Sequence, residues 1–184
     1  MKILVSAAKT GGHIFPAIAV GNELKHNGHD IVFIGSGAPI EINALKKTSF
    51  SHYLISMEGF RGKNFLGKIK SLLLIPISIF KILKIIRNEK VDAMIGFGGF
   101  ITVPVGIAFY ISRKPIFIHE QNAVLGSANK LLGKFSKIIF SAFKLKETFK
   151  NTCITGNPIR EEFRTEVPKE DYSEITKIYI TGGS

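Results

Sequence analysis

The stretch Lys2-Ile3-Leu4-Val5-Ser6-Ala7-Ala8-Lys9-Thr10-Gly11-Gly12-His13-Ile14-Phe15-Pro16 decides how the rest of the chain is read. A β-branched apolar run ends in paired glycines, and an amphipathic pattern then runs from Pro16 to Asn27. A strand that turns into a helix through glycine is the opening of a parallel βαβ unit, and Met1 leads straight into that buried strand rather than into a secretory signal. Paired glycines let the backbone approach an anion closely, and Pro16 fits a first helical turn, where its missing N–H costs nothing. The loop reads either as a phosphate or sugar cradle or as a tight turn with no ligand. His13 stands where the partial positive charge of a helix N-terminus disfavours imidazolium and leaves the neutral ring that a general base needs. A capping or simply exposed histidine is the plainer alternative.

The same alternation continues outward. Strands are expected near Lys2–Ser6, Asp30–Ile34, His52–Ile55, Asp92–Ile95, Pro115–His119, Lys137–Phe140 and Thr152–Ile154. Helices are expected near Pro16–Asn27, Pro39–Lys47, Lys68–Glu89, Thr102–Ser112, Ala123–Phe135 and Lys144–Phe149. Continuous apolar strands separated by helices imply a parallel sheet covered on both faces, an α/β doubly wound Rossmann-like domain. Such sheets bind ligands beyond the carboxyl ends of their strands, so the loops after each strand carry the function. A dinucleotide site is disfavoured: GxGxxG is absent, and Gly35-Ser36-Gly37 after the second strand includes no acid for a ribose hydroxyl.

Three further loops carry polar or glycine-rich patterns. The fourth strand leads into Gly96-Phe97-Gly98-Gly99-Phe100-Ile101, with Thr102 as a candidate cap and Pro104 in the first helical turn. Two glycine turns of this kind in one sheet make coincidence a weak explanation. The fifth strand ends in His119-Glu120-Gln121-Asn122, four polar residues where the sheet faces its ligand, although any strand end is exposed and tolerates polar residues. The seventh ends in Thr155-Gly156-Asn157-Pro158-Ile159-Arg160, a rigid turn offering an amide and a guanidinium. Arg160 is either a bidentate phosphate partner or an ordinary surface arginine.

The chain has 184 residues, 45% apolar and 21% charged, which fits one globular domain and excludes a disordered polyelectrolyte or a coiled coil. Its net charge of +11 points to an anionic partner: phosphate, nucleic acid or acidic lipid. The single cysteine, Cys153, excludes an internal disulfide framework and fits a reducing compartment. Residues 1–160 hold 22 basic and 8 acidic side chains, whereas 161–184 hold 3 and 6. That shift divides the chain into a domain over 1–160, a short helix and linker over 161–176, and a new strand and glycine turn over 177–184. The C-terminus therefore reads as a cut just inside a second domain.

Residues 61–90 add a different signal, with eight basic side chains and one acid interleaved with apolar runs. On a helix, Ile75, Ile79, Ile82 and Ile86 form one core-facing stripe, while Leu73, Leu74 and Ile77 fall on another side near Lys70, Lys81 and Lys84. A second apolar patch within a basic collar suits the interface of an anionic membrane. The uncharged run Ser71–Phe80 is about half the roughly 20 residues a membrane span requires. A buried helix with snorkelling lysines is the alternative.

Together, Thr10-Gly11-Gly12-His13 with Pro16, Gly96–Gly99, His119-Glu120-Gln121-Asn122 with Gly126 and Asn129-Lys130, Thr155-Gly156-Asn157-Pro158 with Arg160, and Gly182-Gly183-Ser184 resemble, in order, the N-terminal domain of the MurG-type transferases. The resemblance implies one half of a GT-B glycosyltransferase, the half that faces acceptor and membrane. It implies inverting transfer of N-acetylglucosamine from UDP-N-acetylglucosamine to lipid I, giving the lipid II precursor of peptidoglycan, and with it a place in cell-wall biogenesis, cell shape and division. In that setting His13 is the candidate base and Glu120 the next candidate. Thr10, Gly11, Gly12, Gly98, Gly99, Asn122, Asn157, Arg160 and Ser184 are the candidate substrate contacts, and most of the UDP-sugar site belongs to the C-terminal domain. Lys70, Leu73, Leu74, Ile77, Lys81 and Lys84 are the candidate membrane contacts of a peripheral protein on the cytoplasmic face of the bacterial inner membrane. No cofactor is implied and no metal is assigned, since the chain has no Asp-x-Asp pair.

The chain departs from the family pattern at Ala7, Ala8 and Lys9, where a glycine run is usual; a lysine there would supply charge in place of close backbone approach. Without most of the donor site, residues 1–184 alone are expected to show little turnover. The remaining alternatives are a membrane half of a split transferase and a basic nucleic-acid binder. The second is disfavoured because the aromatics are mostly Phe in apolar runs and no RNP-like motif is present.

Overall fold

Strand and helix alternate from Lys2 to Ile154 in the computed structural model, which describes residues 1–8, 10–56, 65–147 and 149–160, with the backbone alone over 65–73. The order is β1 (Lys2–Ser6), α1 (Gly11–His26), β2 (Asp30–Gly35), α2 (Pro39–Leu45), β3 (Ser51–Leu54) and α3 (Phe65–Asn88). There follow β4 (Ala93–Gly96), α4 (Thr102–Ile111), β5 (Ile116–Glu120), α5 (Ser127–Leu132), β6 (Ile138–Ser141) and β7 (Thr152–Ile154). The strands form one sheet in the order β3-β2-β1-β4-β5-β6-β7, and every pairing is parallel. The doubly wound Rossmann-like sheet read from the sequence is the fold observed. The segments 161–176 and 177–184 lie outside the described residues.

Side chains alternate along each strand and divide the core in two. Leu4, Val32, Ile34, Met94 and Ile118 point to the face covered by α3, α4 and α5, where Ile82, Ile86, Val105, Phe109 and Leu132 meet them. Val5, Ile31, Phe33 and Ile95 point to the other face, covered by α1 and α2 through Ile14, Ala17, Ile18 and Leu45. Both faces are dry at the centre, which is why the strands read as unbroken apolar runs. Burying each such side chain contributes roughly 1.5 to 3 kcal/mol. On α3, Ile82 and Ile86 are buried, and Ile75 and Ile79 are partly buried against the same core, as the expected stripe requires.

Several boundaries differ from the sequence reading. The first helix begins at Gly11, five residues before Pro16, with Thr10 as the extended N-cap. Pro16 thus lies inside the helix, and His13 occupies its first turn, donating its backbone N–H to the Thr10 carbonyl at 3.1 Å. Thr102 is the first residue of α4 rather than its cap, a position held by Ile101. The helix expected over Ala123–Phe135 shortens to Ser127–Leu132, because side-chain acceptors hold residues 122–126 as a loop. The helix expected over Lys144–Phe149 does not form among the described residues. There the Lys146 amide donates to the Ala123 carbonyl at 3.0 Å, and the Glu147 carboxylate accepts the Leu125 amide at 3.3 Å. These contacts tie residues 146 and 147 to the 123–125 loop. Among the described residues no helix is long and apolar enough to cross a membrane.

Candidate active site

β1 and β4 are neighbours at the middle of the sheet, with Ser6 opposite Gly96, so the loops that follow them leave the carboxyl edge side by side. Gly98 and Gly99 both adopt positive φ, 98° and 85°, which an L side chain rarely accepts. Space is tight as well: a Cβ on Gly99 would lie 3.0 Å from the Ala8 carbonyl oxygen, and one on Gly98 would lie 3.1 Å from His13 Cε1. The second turn therefore supports the first, and the His13 ring lies against the Gly98 backbone. Beneath them, the buried Thr102 hydroxyl donates to the Gly98 carbonyl at 2.7 Å and lies 3.5 Å from Ser6 Oγ.

The end of β5 reaches the same place from the other side. His13 Nδ1 is 2.9 Å from Gln121 Oε1, across 108 residues of sequence. Gln121 Nε2 is 3.2 Å from His119 Nδ1 and 3.3 Å from the His119 carbonyl oxygen. The other nitrogen of His119, Nε2, is 3.2 Å from the Gly156 carbonyl oxygen, and the ring stacks on Phe97 at 5.4 Å between centroids. His119 is 2% exposed, and burial lowers its pKa below the usual histidine value, opposed in part by the Gly156 carbonyl and the nearby Glu120 charge. Gln121 and His119 were not singled out by the sequence beyond their place in a polar strand end.

Glu120 turns away from this chain. Its buried carboxylate accepts the Asn122 amide at 3.1 Å and the Asn122 side chain at 2.9 Å through Oε1. Oε2 accepts the Gly126 amide and the Asn129 side chain, both at 2.9 Å. Four donors converge on the two oxygens, and this is what shapes the loop between β5 and α5. Asn122 is thereby committed to Glu120 through its side chain as well as its backbone.

After β7, at the sheet's far edge, the chain returns across the carboxyl ends. Gly156 meets His119 at the end of β5, and the Arg160 guanidinium lies over the Phe15 ring of α1 at 4.7 Å. Residues 155–160 thus wall the space in front of β4 and β5, with Asn157 exposed. Thr10, Gly11, Gly12, His13, Gly98 and Gly99 come together as expected, whereas Lys9 and Ser184 lie outside the described residues. An acid does stand at the β2 turn. Glu41 folds back from α2, where its buried carboxylate accepts Ser36 Oγ at 2.6 Å and the Gly37 amide at 2.8 Å. It supports the turn from within, which the spacing of Gly35-Ser36-Gly37 did not reveal.

Four of the six candidate membrane residues have described side chains. On α3, Leu74, Ile77, Lys81 and Lys84 are exposed, and Phe80 beside them is 73% exposed. Lys70 and Leu73 have no described side chain.

A parallel doubly wound sheet with glycine turns and a histidine at its carboxyl edge presents a ligand site there, and the comparisons narrow its class. Residues 3–141 match the glycosyltransferase family 28 N-terminal domain, and the chain belongs to that family. Over its whole length it is 38% identical to the UDP-N-acetylglucosamine--N-acetylmuramyl-(pentapeptide) pyrophosphoryl-undecaprenol N-acetylglucosamine transferase of Haemophilus influenzae strain PittEE, and 40% identical to the protein of the same name from Cellvibrio japonicus strain Ueda107. It covers 53% of each, so the chain spans about half the length of the curated relatives it matches. The crystal structure of Acinetobacter baumannii MurG matches it with a TM-score of 0.76 and 31% identity, over 87% of this chain and 46% of that one.

Proposed function

We propose that this chain is the acceptor-binding, membrane-facing domain of an N-acetylglucosaminyltransferase that moves the sugar of UDP-N-acetylglucosamine onto lipid I. The observation that carries the reading is His13, held at the carboxyl edge between two interlocked glycine turns with its Nδ1 engaged by Gln121. Among the described residues Nε2 has no hydrogen-bond partner, so a substrate hydroxyl is the group it is placed to receive. In this mechanism the acceptor hydroxyl oxygen forms a bond to the anomeric carbon from the side opposite UDP. His13 Nε2 takes the hydroxyl proton, and the bond to the diphosphate oxygen breaks with its electron pair leaving on UDP. The backbone amides of Gly98 and Gly99, with those of Gly11 and Gly12 at the start of α1, hold the acceptor diphosphate. Glu120, already surrounded by four donors, shapes the loop between β5 and α5.

The membrane assignment extends beyond α3. Tyr110 and Ile111 at the end of α4 and Phe135 after α5 are exposed, with the Tyr110 and Phe135 rings 4.9 Å apart. They border a basic depression of about 530 Å³ that also includes Arg113, Lys114 and Lys137. Apolar groups ringed by cations suit the surface of an anionic bilayer, as expected of a peripheral protein on the cytoplasmic face of the inner membrane.

The test joins residues 1–160 to the donor-binding domain of a family relative and measures transfer to a lipid I analogue. His13→Ala should lower kcat by at least about 10²-fold, the usual contribution of a general base, while the fold survives. Replacing His26 or His29 at the other end of the helix should change little. A His13→Ala enzyme within a few-fold of the parent in kcat, with only KM raised, would show that His13 binds substrate without acting as the base.

A further inference from the structure

Two imidazoles and one amide form a continuous chain behind the cleft, and each link constrains the next. A carbonyl oxygen only accepts, so His119 Nε2, 3.2 Å from the Gly156 carbonyl, carries a proton. Burial keeps this ring neutral, which leaves a lone pair on His119 Nδ1. Gln121 therefore has two acceptors on one side, His119 Nδ1 at 3.2 Å and the His119 carbonyl oxygen at 3.3 Å, and its NH2 group faces both. The Gln121 carbonyl oxygen is left facing His13 Nδ1 at 2.9 Å. Since that oxygen accepts, the neutral form of His13 bears its proton on Nδ1 and keeps the lone pair on Nε2.

We propose that Gln121 and His119 are positioning residues that fix the His13 tautomer, with the Gly156 carbonyl as the origin of the relay. The proposal rests on the reading of His13 as the base. A base supported from behind by an acceptor, itself held by a third group, is the general arrangement of an oriented catalytic histidine, here built from an amide and a second imidazole. The arrangement also stabilises the ring once Nε2 has taken the acceptor proton, because the Nδ1–H continues to donate to Gln121. It makes the turn after β7 part of the catalytic support through its backbone: moving the Gly156 carbonyl would release His119, then Gln121, then the tautomer. The Phe97 ring stacked on His119 keeps the middle link in plane.

The tautomers can be read directly by long-range proton–nitrogen NMR of the imidazole rings in the isotopically labelled 184-residue chain near neutral pH, with no substrate present. The expected result is His13 as the Nδ1–H form and His119 as the Nε2–H form. In Gln121→Met, which neither donates nor accepts strongly, the ratio of Nδ1–H to Nε2–H at His13 should fall roughly three- to tenfold, the range one lost hydrogen bond allows. Gln121→Glu, an acceptor only, should retain the Nδ1–H form. A parent chain with His13 mainly Nε2–H, or an unchanged ratio in Gln121→Met, would overturn the proposal. If Gln121→Met does not fold, the parent spectrum and Gln121→Glu still decide. The readout is independent of turnover. A His13→Ala enzyme of full activity would end the base assignment and leave the tautomer result standing, whereas a wrong tautomer would end the relay and leave the kinetic effect of His13 intact.

Discussion

The carboxyl edge of the sheet and the outer surface of α3 to α5 are both rich in polar and cationic groups, and they are built in opposite ways. At the edge, donors meet acceptors at close range: His13 with Gln121, Gln121 with His119, His119 with Gly156, and Glu120 with four donors. On the outer surface, Phe80, Ile77, Tyr110 and Ile111 are largely in solvent, with Lys81, Lys84, Arg113 and Lys137 around them. Each of these groups is held by a specific partner, so the edge is directional, as the proposed bond-making chemistry requires. On the proposed reading a fluid lipid surface needs only apolar area and positive charge, and this face supplies both.

That contrast is tested most severely at Glu120. Glu120→Ala would leave four donors around β5 and α5 without their acceptor, and should destabilise the domain by about 3 kcal/mol or more in urea unfolding, with loss of the ordered 121–126 loop. A loss below about 1 kcal/mol would mean that solvent replaces the carboxylate easily and that the edge is not the rigid region.

The outer face should respond in binding instead. Lys81→Gln with Lys84→Gln should weaken association with anionic vesicles by about 1 kcal/mol for each lysine, and added salt should weaken the parent similarly. Ile77→Ser with Phe80→Ser should reduce binding to neutral and anionic vesicles alike, and neither pair should shift the urea midpoint appreciably. Equal binding of the parent to neutral and anionic vesicles would remove the electrostatic half of the comparison.

The smallest expected effect is the pH dependence carried by His119. Its folded pKa lies below the ordinary histidine value of 6.5 because of burial. Between the two values the unfolded chain binds a proton that the folded chain does not, so stability rises with pH through that window and is complete above about 6.5. Acidification below that point should destabilise the parent by at most about 1.4 kcal/mol per pH unit from this group, and His119→Gln should show a shallower slope. Parallel slopes in parent and variant would place the imidazole in a solvated setting, at odds with a rigid edge.

Each of the seven strands was legible because buried parallel strands are short apolar runs with glycine, proline or polar residues at their ends. The helix over Lys144–Phe149 was misread because its residues suit a helix locally, whereas the fold pairs Lys146 and Glu147 with Ala123 and Leu125 from elsewhere in the chain. In the site, His13 and the glycine pairs stood out because special backbone geometry restricts residue type. Glu120 was legible as a polar strand end and, through the family resemblance, as the next candidate base, but nothing in neighbouring residues reveals that Asn122, Gly126 and Asn129 turn inward to meet it. Gln121 and His119 were hidden for the same reason.

The sequence by itself determined the alternation of strand and helix, the two-faced core and the places where glycine turns leave the sheet, because periodicity and backbone preference act within a few residues. Only the tertiary structure decided that β1 lies beside β4 and β4 beside β5, which sets Gly98 under the His13 ring and brings Gln121 to its nitrogen. Hydrogen-bond direction is settled later still: a histidine tautomer follows from the acceptor it meets, and that acceptor is chosen by strand order, crossover packing and the return of residues 155–160 across the carboxyl edge.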